Sequence, residues 1–413
     1  MMFPRQFESI KKSLWGLAGM LLVSGSTQTW AAVQEITAEF RPDSSKPLQN
    51  KFTNTTPESG ICPWHIPGIC KALNIFSIRS TELTFASAGP IQAYHSDVRQ
   101  GAMFKVPSGW RDLTVTHTQT GHTERVQIRI AGIGGRYNLG GGVNHSVFPA
   151  MTWQYPTSAG LPCQSTGYAT GTQTYLLWSW LVPLNTGICA VQAIKDIPRM
   201  TYSMTEYSYE LRTPNPLTMR AGIFTGQTTF SVGPGKDFDF GDVMLPADDA
   251  LTFNFTLNVE HVLKVEVPPG GNRVVLEPQE GWQGWLQRGR KPSRLSRDQS
   301  IHLWASSPFR MTLECAEPMV NTCSVRNANG HQVPLDISVS LPFGLSHPGG
   351  RPVSRQPLRL DGQGTERFEP IHYVDRKPST LHFEIQPDAV AQMLDHAGST
   401  YSGTVTVVWD SDI

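Results

Sequence analysis

Short strand-like segments bounded by glycine and proline recur along the whole chain, and long amphipathic helix patterns are nearly absent. Segments 33–40, 125–131, 200–211, 227–232, 251–267 and 333–341 carry the apolar and β-branched patterning of strands. Many punctuated strands with few helices predict an all-β chain of sandwich or barrel type. One short helix is expected over 388–396, with Asp388 as its N-cap after Pro387 and Gly398 beyond its end. The segment 401–413 alternates Tyr401, Gly403, Val405, Val407 and Trp409 against Ser402, Thr404 and Thr406, which predicts a strand at the C-terminus. A strand with no successor leaves a sheet edge open to a partner's strand.

The N-terminus sets the expected compartment. Lys11 and Lys12 precede the apolar run 14–23 and the small-residue region around Thr29 and Ala31, a pattern that predicts a cleavable secretory signal over 1–31. The apolar run is too short for a comfortable bilayer span. Cleavage removes Arg5, Lys11, Lys12 and Glu8 from a chain that carries 34 basic and 34 acidic residues, so the mature protein stays near neutrality. That balance argues against nucleic acid as a partner. The basic cluster Arg288, Arg290, Lys291, Arg294 and Arg297 lies among Pro, Ser and Gly and reads as a solvated loop.

All six cysteines follow the expected signal. Six cysteines admit many pairings, but loop closure and even spacing in an exported chain favour Cys62–Cys70, Cys163–Cys189 and Cys315–Cys323. Zinc at Cys62, His65 and Cys70 is disfavoured because the spacing lacks a tight knuckle. The chain suits two domains, with a boundary expected at 245–250, giving domains 32–245 and 251–413 around a 246–250 linker.

No nucleophile elbow, zinc-protease helix motif, phosphate-binding loop or dinucleotide fingerprint is present, and no enzyme or cofactor is expected. The glycines at 132, 134, 135 and 140–142 read as a bulge and a turn. Asp237, Asp239 and Asp242 alternate with Phe238 and Phe240, more in the manner of a strand with a wet face than of a calcium site. The histidines at 65, 95, 117, 122 and 145 have no spacing that gathers them on a metal. Trp178 and Trp180 sit in an apolar run and are expected in the core. Trp64 with His65, and Trp153 and Tyr155 after Asn144 and His145, sit in loop-like surroundings and are the receptor-binding candidates.

With these pieces assembled, the chain resembles the two-domain tip adhesins of bacterial chaperone–usher fimbriae. The resemblance rests on the terminal Tyr-Ser-Gly-Thr-Val-Thr-Val-Val-Trp-Asp, on the segment 251–267, and on residues 38–43 and 50–57. It implies an N-terminal receptor-binding β-domain and a C-terminal immunoglobulin-like pilin domain that lacks a strand. Tyr401, Val405, Val407, Trp409 and Ile413 would then belong to the assembly strand. The implied partners are a periplasmic pilus chaperone, an outer-membrane usher, the next fimbrial subunit, and a host glycan or protein receptor, with the protein exported through the periplasm to the fimbrial tip. The alternatives are a non-adhesive adaptor or minor subunit, and a secreted β-sandwich carbohydrate-active or metal-dependent hydrolase.

Overall fold

The computed structural model describes residues 32–149 and 158–411, and these are nearly all β. The expected signal at 1–31, Trp153, Tyr155 and Ile413 lie outside the described residues.

Alternation decides the first half. In the strand Ala250–Val259, Leu251, Phe253, Phe255, Leu257 and Val259 are buried while the residues between them stay half-exposed. Burying each such side chain contributes about 1.5–3 kcal/mol, which holds the register, since a slip of one residue would turn the row outward. This strand pairs antiparallel with Gly222–Ser231 on one side. On the other it pairs in parallel with Ala32–Phe40, from Ala32 opposite Leu251 to Phe40 opposite Val259. The sheet continues beyond Gly222–Ser231 through Arg111–His117 and the long strand Thr123–Gly140 to Arg199–Arg212. Two close approaches let the C-terminal half of the 18-residue Thr123–Gly140 pair on both edges, with Tyr175–Leu181 and Arg199–Arg212. A Cβ at Gly134 would lie 2.3 Å from the Trp178 carbonyl oxygen, and one at Gly135, at φ +146°, 2.3 Å from that of Met204. The pairing with Arg199–Arg212 shifts register opposite Arg136 and Tyr137, between Tyr202 and Met204, and again next to Gly132, between Ser208 and Tyr209, so the glycine-rich segment does carry irregularities in the ladder.

A second core forms on a separate sheet, in which Leu263–Glu266, Leu295–Ala305, Val374–Ile385, Gln332–Ser340 and Thr322–Asn327 lie side by side. The expected single strand over 251–267 is therefore two strands. Ala250–Val259 closes the first core, and Leu263–Glu266 opens the second. The expected linker at 246–250 does not part the cores: Met244–Pro246 pairs with Phe85–Ser87, and Ala250 already begins the next strand of the same sheet. Polar alternation around Asp248 and Asp249 has the look of a linker, but the apolar row that follows belongs with Phe230 and Ile36.

The chain passes between the cores at Glu260, His261 and Val262. There His261 Nε2 lies 2.9 Å from the Met219 carbonyl oxygen, and Nδ1 lies 3.1 Å from Ser306 Oγ. A carbonyl can only accept, so Nε2 carries the proton. The Val262 amide donates to the same Ser306 oxygen, and Phe40 packs edge-on against the imidazole.

The six cysteines close Cys62–Cys70, Cys163–Cys189 and Cys315–Cys323. The helix near the C-terminus is Pro387–Leu394; Asp388 lies inside its first turn, and Gln386 occupies the N-cap position without a side-chain bond. Pro387 fits the first helical position, which displaces the expected cap by two residues. No helix among the described residues is long and apolar enough to cross a membrane.

Candidate functional site

Two short helices, Ile61–Trp64 and Pro67–Leu73, lie against the first sheet and are tied by Cys62–Cys70. Ile61, Cys62, Cys70, Ile75 and Ala131 form a small core beneath them. Ser77 anchors the first helix from the sheet, its hydroxyl accepting from the Cys62 amide at 2.8 Å and donating to the Ser59 carbonyl. This rigid platform presents Trp64, which is 53% exposed, and His65 beside it.

Beneath Trp64 runs a chain of charge. Glu206 and Arg79 face each other across the strands Arg199–Arg212 and Phe76–Ser80. The buried Glu206 carboxylate holds the Arg79 guanidinium in an ion pair, and that guanidinium stacks 4.5 Å from the centre of the Trp64 ring. Burial pushes the Glu206 carboxyl above the usual glutamate range, with Arg79 pulling the other way. His65 stacks on Tyr168 at 4.1 Å between ring centres, and its Nε2 lies 3.0 Å from the Tyr168 hydroxyl. Burial and the nearby Arg79 charge lower the His65 pKa, so at neutral pH the pair is an uncharged aromatic surface. The result is two aromatic units over a fixed cation, suited to stacking on a sugar face or receiving a protein side chain.

The other sequence candidates part company with this patch. His145 is only 5% exposed, so it is no surface contact. Asn144 caps the short turn His145–Val147, its carboxamide oxygen accepting from the Ser146 amide at 3.1 Å. Trp178 and Trp180 are buried in the first core, as their apolar surroundings predict. Asp237, Asp239 and Asp242 form neither a wet strand face nor a cation site. Asp239 is 1% exposed and accepts from Arg99 and from the Gly235 and Gly241 amides; Asp242 shares Arg99, and Asp237 takes Arg111 and Ser231. Among the described residues no group of three or more His, Cys, Asp or Glu is arranged to hold a metal. Tyr168 and Glu206 were invisible in the sequence, because Tyr168 meets His65 across 103 residues and Glu206 meets Arg79 across 127. Arg79 is closer to Trp64 in sequence, but no local pattern shows that its strand turns back under the ring.

An open concavity of about 510 Å³ lies on the hairpin of Arg111–His117 and Thr123–Gly140, lined by Asp112, Thr114, Glu124 and Arg125. Its charges engage one another: Asp112 takes both Arg125 and Gln127.

The second site is the edge of the second core. Val405–Asp410 pairs antiparallel with Arg310–Cys315, from Val405 opposite Cys315 to Asp410 opposite Arg310. Its other edge carries no ladder partner among the described residues. Val405, Val407 and Trp409 are half-buried and pack against the core, with Trp409 5.6 Å from Phe309 between ring centres. A Cβ at Gly403 would lie 2.5 Å from the Ser324 carbonyl oxygen, so glycine lets the chain pass close by that backbone before the strand begins. Tyr401 belongs to a separate short pairing with Thr322–Asn327, and its hydroxyl lies 2.8 Å from His331 Nδ1.

No family model and no curated protein matches the sequence. Among solved structures, the chain is similar to CfaE, the adhesive subunit of CFA/I fimbria of enterotoxigenic Escherichia coli, at 11% identity and a TM-score of 0.23, with 92% of each chain covered. It is also similar to a chain in the CsuC–CsuE chaperone–tip adhesion subunit pre-assembly complex of the archaic chaperone-usher Csu pili of Acinetobacter baumannii. That match has 10% identity and a TM-score of 0.21, covering 92% of this chain and 98% of that one. At such low superposition the function of this chain rests on its own residues.

Proposed function

We propose that the protein is a fimbrial tip adhesin that joins its assembly by accepting a partner strand into its second core. The observation that carries this reading is the one-sided pairing of Val405–Asp410, with its half-buried Val405, Val407 and Trp409. A strand with a ladder partner on one edge among the described residues and an incompletely covered apolar row is a template for strand addition: the backbone supplies the bonds and alternate side chains supply the fit. In an exported chain the first occupant is a periplasmic chaperone, and the next subunit's extension replaces it at an outer-membrane usher. The core closed by Ala250–Val259 then carries receptor binding, with Trp64, His65 and Tyr168 as the contact surface for a host glycan or protein. Localisation at the cell surface follows from that route.

The test is thermal unfolding of the mature chain with and without chaperone or donor-strand peptides from its own fimbrial system. A strand present at a hundredfold over its Kd stabilises by about 2.7 kcal/mol and raises the second core's midpoint. An unmoved midpoint sinks the assembly reading. Adaptor and adhesin separate on Trp64→Ala: an adhesin loses attachment while piliation persists, whereas an adaptor never had attachment to lose. Release of product from a glycan panel would instead reveal a hydrolase.

A further inference from the structure

The basic stretch read from sequence as a solvated loop has a companion that the proposed function does not use. Between the pairing of Glu277–Pro278 with Leu295 and Ser296, the chain leaves the second sheet and returns, so the excursion is pinned at its base. Its short helix Gln283–Arg288 begins at Trp282, which is itself in helical backbone conformation. Trp282, Trp285 and Leu286 therefore fall at i, i+3 and i+4, on one face. That face is exposed: 41%, 37% and 76% for the three in order. The two indoles lean together, 6.0 Å between centres. A core-facing apolar row would be covered, whereas this one faces outward, with Val275 of the preceding segment also 54% exposed.

Charge says what covers it. From residue 281 to 297 there are five basic residues and no acidic one. Arg290 reaches Glu280 in an ion pair open to solvent on both sides, and Arg294 approaches Glu384 at 4.0 Å. Arg288, Lys291 and Arg297 form no ion pair among the described residues. Two indoles and a leucine on one face, with guanidinium and ammonium groups following immediately, match the interface of an anionic bilayer. Indole rings settle at headgroup depth, leucine enters the acyl boundary, and cations meet phosphate. A nucleic acid fits less well, because it would leave Leu286 in water and calls for a continuous basic groove.

We propose that Trp282, Trp285 and Leu286, with Arg288, Arg290 and Lys291, form a peripheral docking element for an anionic phospholipid surface. It is independent of the strand-accepting edge. The experiment is co-sedimentation of the mature chain with vesicles of phosphatidylcholine alone or with one quarter phosphatidylglycerol. The expected result is binding to the anionic vesicles that weakens at least tenfold on replacing the three apolar residues by alanine. The triple reversal R288E/R290E/K291E should erase the preference for phosphatidylglycerol. Phe343→Ala, at an 88% exposed apolar residue elsewhere, should bind as the parent does. All variants change exposed side chains, and circular dichroism and the unfolding midpoint verify their folding. The proposal is overturned by equal partition onto both vesicle types, by anionic binding that the triple-alanine variant retains, or by equal loss in Phe343→Ala. It is overturned as well if the parent ignores vesicles but binds a single-stranded oligonucleotide or cross-links through this loop to another protein of its assembly.

Discussion

The two cores of this molecule are built from the same alternation but finished differently. In the first, both neighbours of Ala250–Val259 are present and its inward row is covered, with Phe230, Phe238 and Phe253 locked in edge-to-face contact. In the second, the inward row of Val405–Asp410 is left half-exposed, and Leu263, Val265, Val274 and Leu276 form a similar fringe. The strand sequences are alike in kind, so the difference lies in how many neighbours each strand has. A β-strand's alternation says which face is apolar; it does not say whether both edges are occupied.

The largest break between the cores should come from removing residues 404–413. The second core loses its contacts with Arg310–Cys315 along one side, whereas the first makes none of them. Calorimetry of the truncated chain should show the second core's transition abolished or far below its original temperature, with the first core's transition in place. Simultaneous collapse of both transitions would show the cores to be a single cooperative unit and would dissolve the comparison.

Matched tryptophans sharpen it. Trp180 is 2% exposed in the first core, and Trp180→Ala should cost about 3–5 kcal/mol. Trp409→Ala should cost less, about 1–2 kcal/mol in the free chain, because part of its ring is already in water. With a strand partner bound, the cost at 409 should rise toward that at 180. Equal losses in the free chain would mean that the second core is already complete.

How much of this was legible in the sequence follows from the same contrast. Ala32–Phe40, Ala250–Val259 and Val405–Asp410 announce themselves by period two, and Trp178 and Trp180 by an apolar run. The parallel pairing of Ala32–Phe40 with Ala250–Val259 joins residues more than two hundred positions apart, and no local pattern encodes it. That is why the boundary was expected one strand early. In the site, Trp64 and His65 stood out as loop aromatics, yet Tyr168 reaches His65 across 103 residues, and Arg79 reaches Trp64 because the strand Phe76–Ser80 runs back beneath the short helix. Polar character misled at Asp239, whose buried carboxylate is held by hydrogen bonds, and at His145, which is buried: buried polar groups and solvated ones look the same in a sequence.

A smaller effect probes the buried Arg79–Glu206 ion pair. Arg79→Met leaves the Glu206 carboxyl buried without its guanidinium, costing about 1–3 kcal/mol at neutral pH as the carboxyl protonates rather than remain charged. Its folded pKa, already raised by burial, should rise further. A raised carboxyl pKa means that the folded state holds the proton more tightly. The variant's stability is therefore best at acid pH and falls as pH climbs through the folded value, relative to the parent. Urea unfolding of both proteins between pH 4 and 8 measures this, and parallel curves would remove Glu206 as the source. Trp64, losing the cation beneath it, should also weaken as an anchor.

The smallest expected effect lies at the passage between the cores. His261 donates from Nε2 to the Met219 carbonyl, while Nδ1 faces the Ser306 hydroxyl, so the neutral ring satisfies a group from each side. Burial holds its pKa below the ordinary value of 6.5, against the pull of those bonds. The unfolded chain thus takes up this proton near pH 6.5 and the folded chain only at lower pH. The stabilisation is present above pH 6.5 and is lost as pH falls through the window below it, down to the lowered folded value. His65 and His347 shift in the same direction, so the parent's pH dependence alone assigns nothing to this joint. The difference between the parent and His261→Gln does. Glutamine can still donate to Met219 but does not titrate, and the variant should show a shallower loss of stability between pH 7.5 and 5.5. If the two slopes coincide, His261 titrates as freely in the folded protein as in the unfolded one, and the cores are coupled by the packing of Phe40 and the Val262–Ser306 bond without a contribution from its charge.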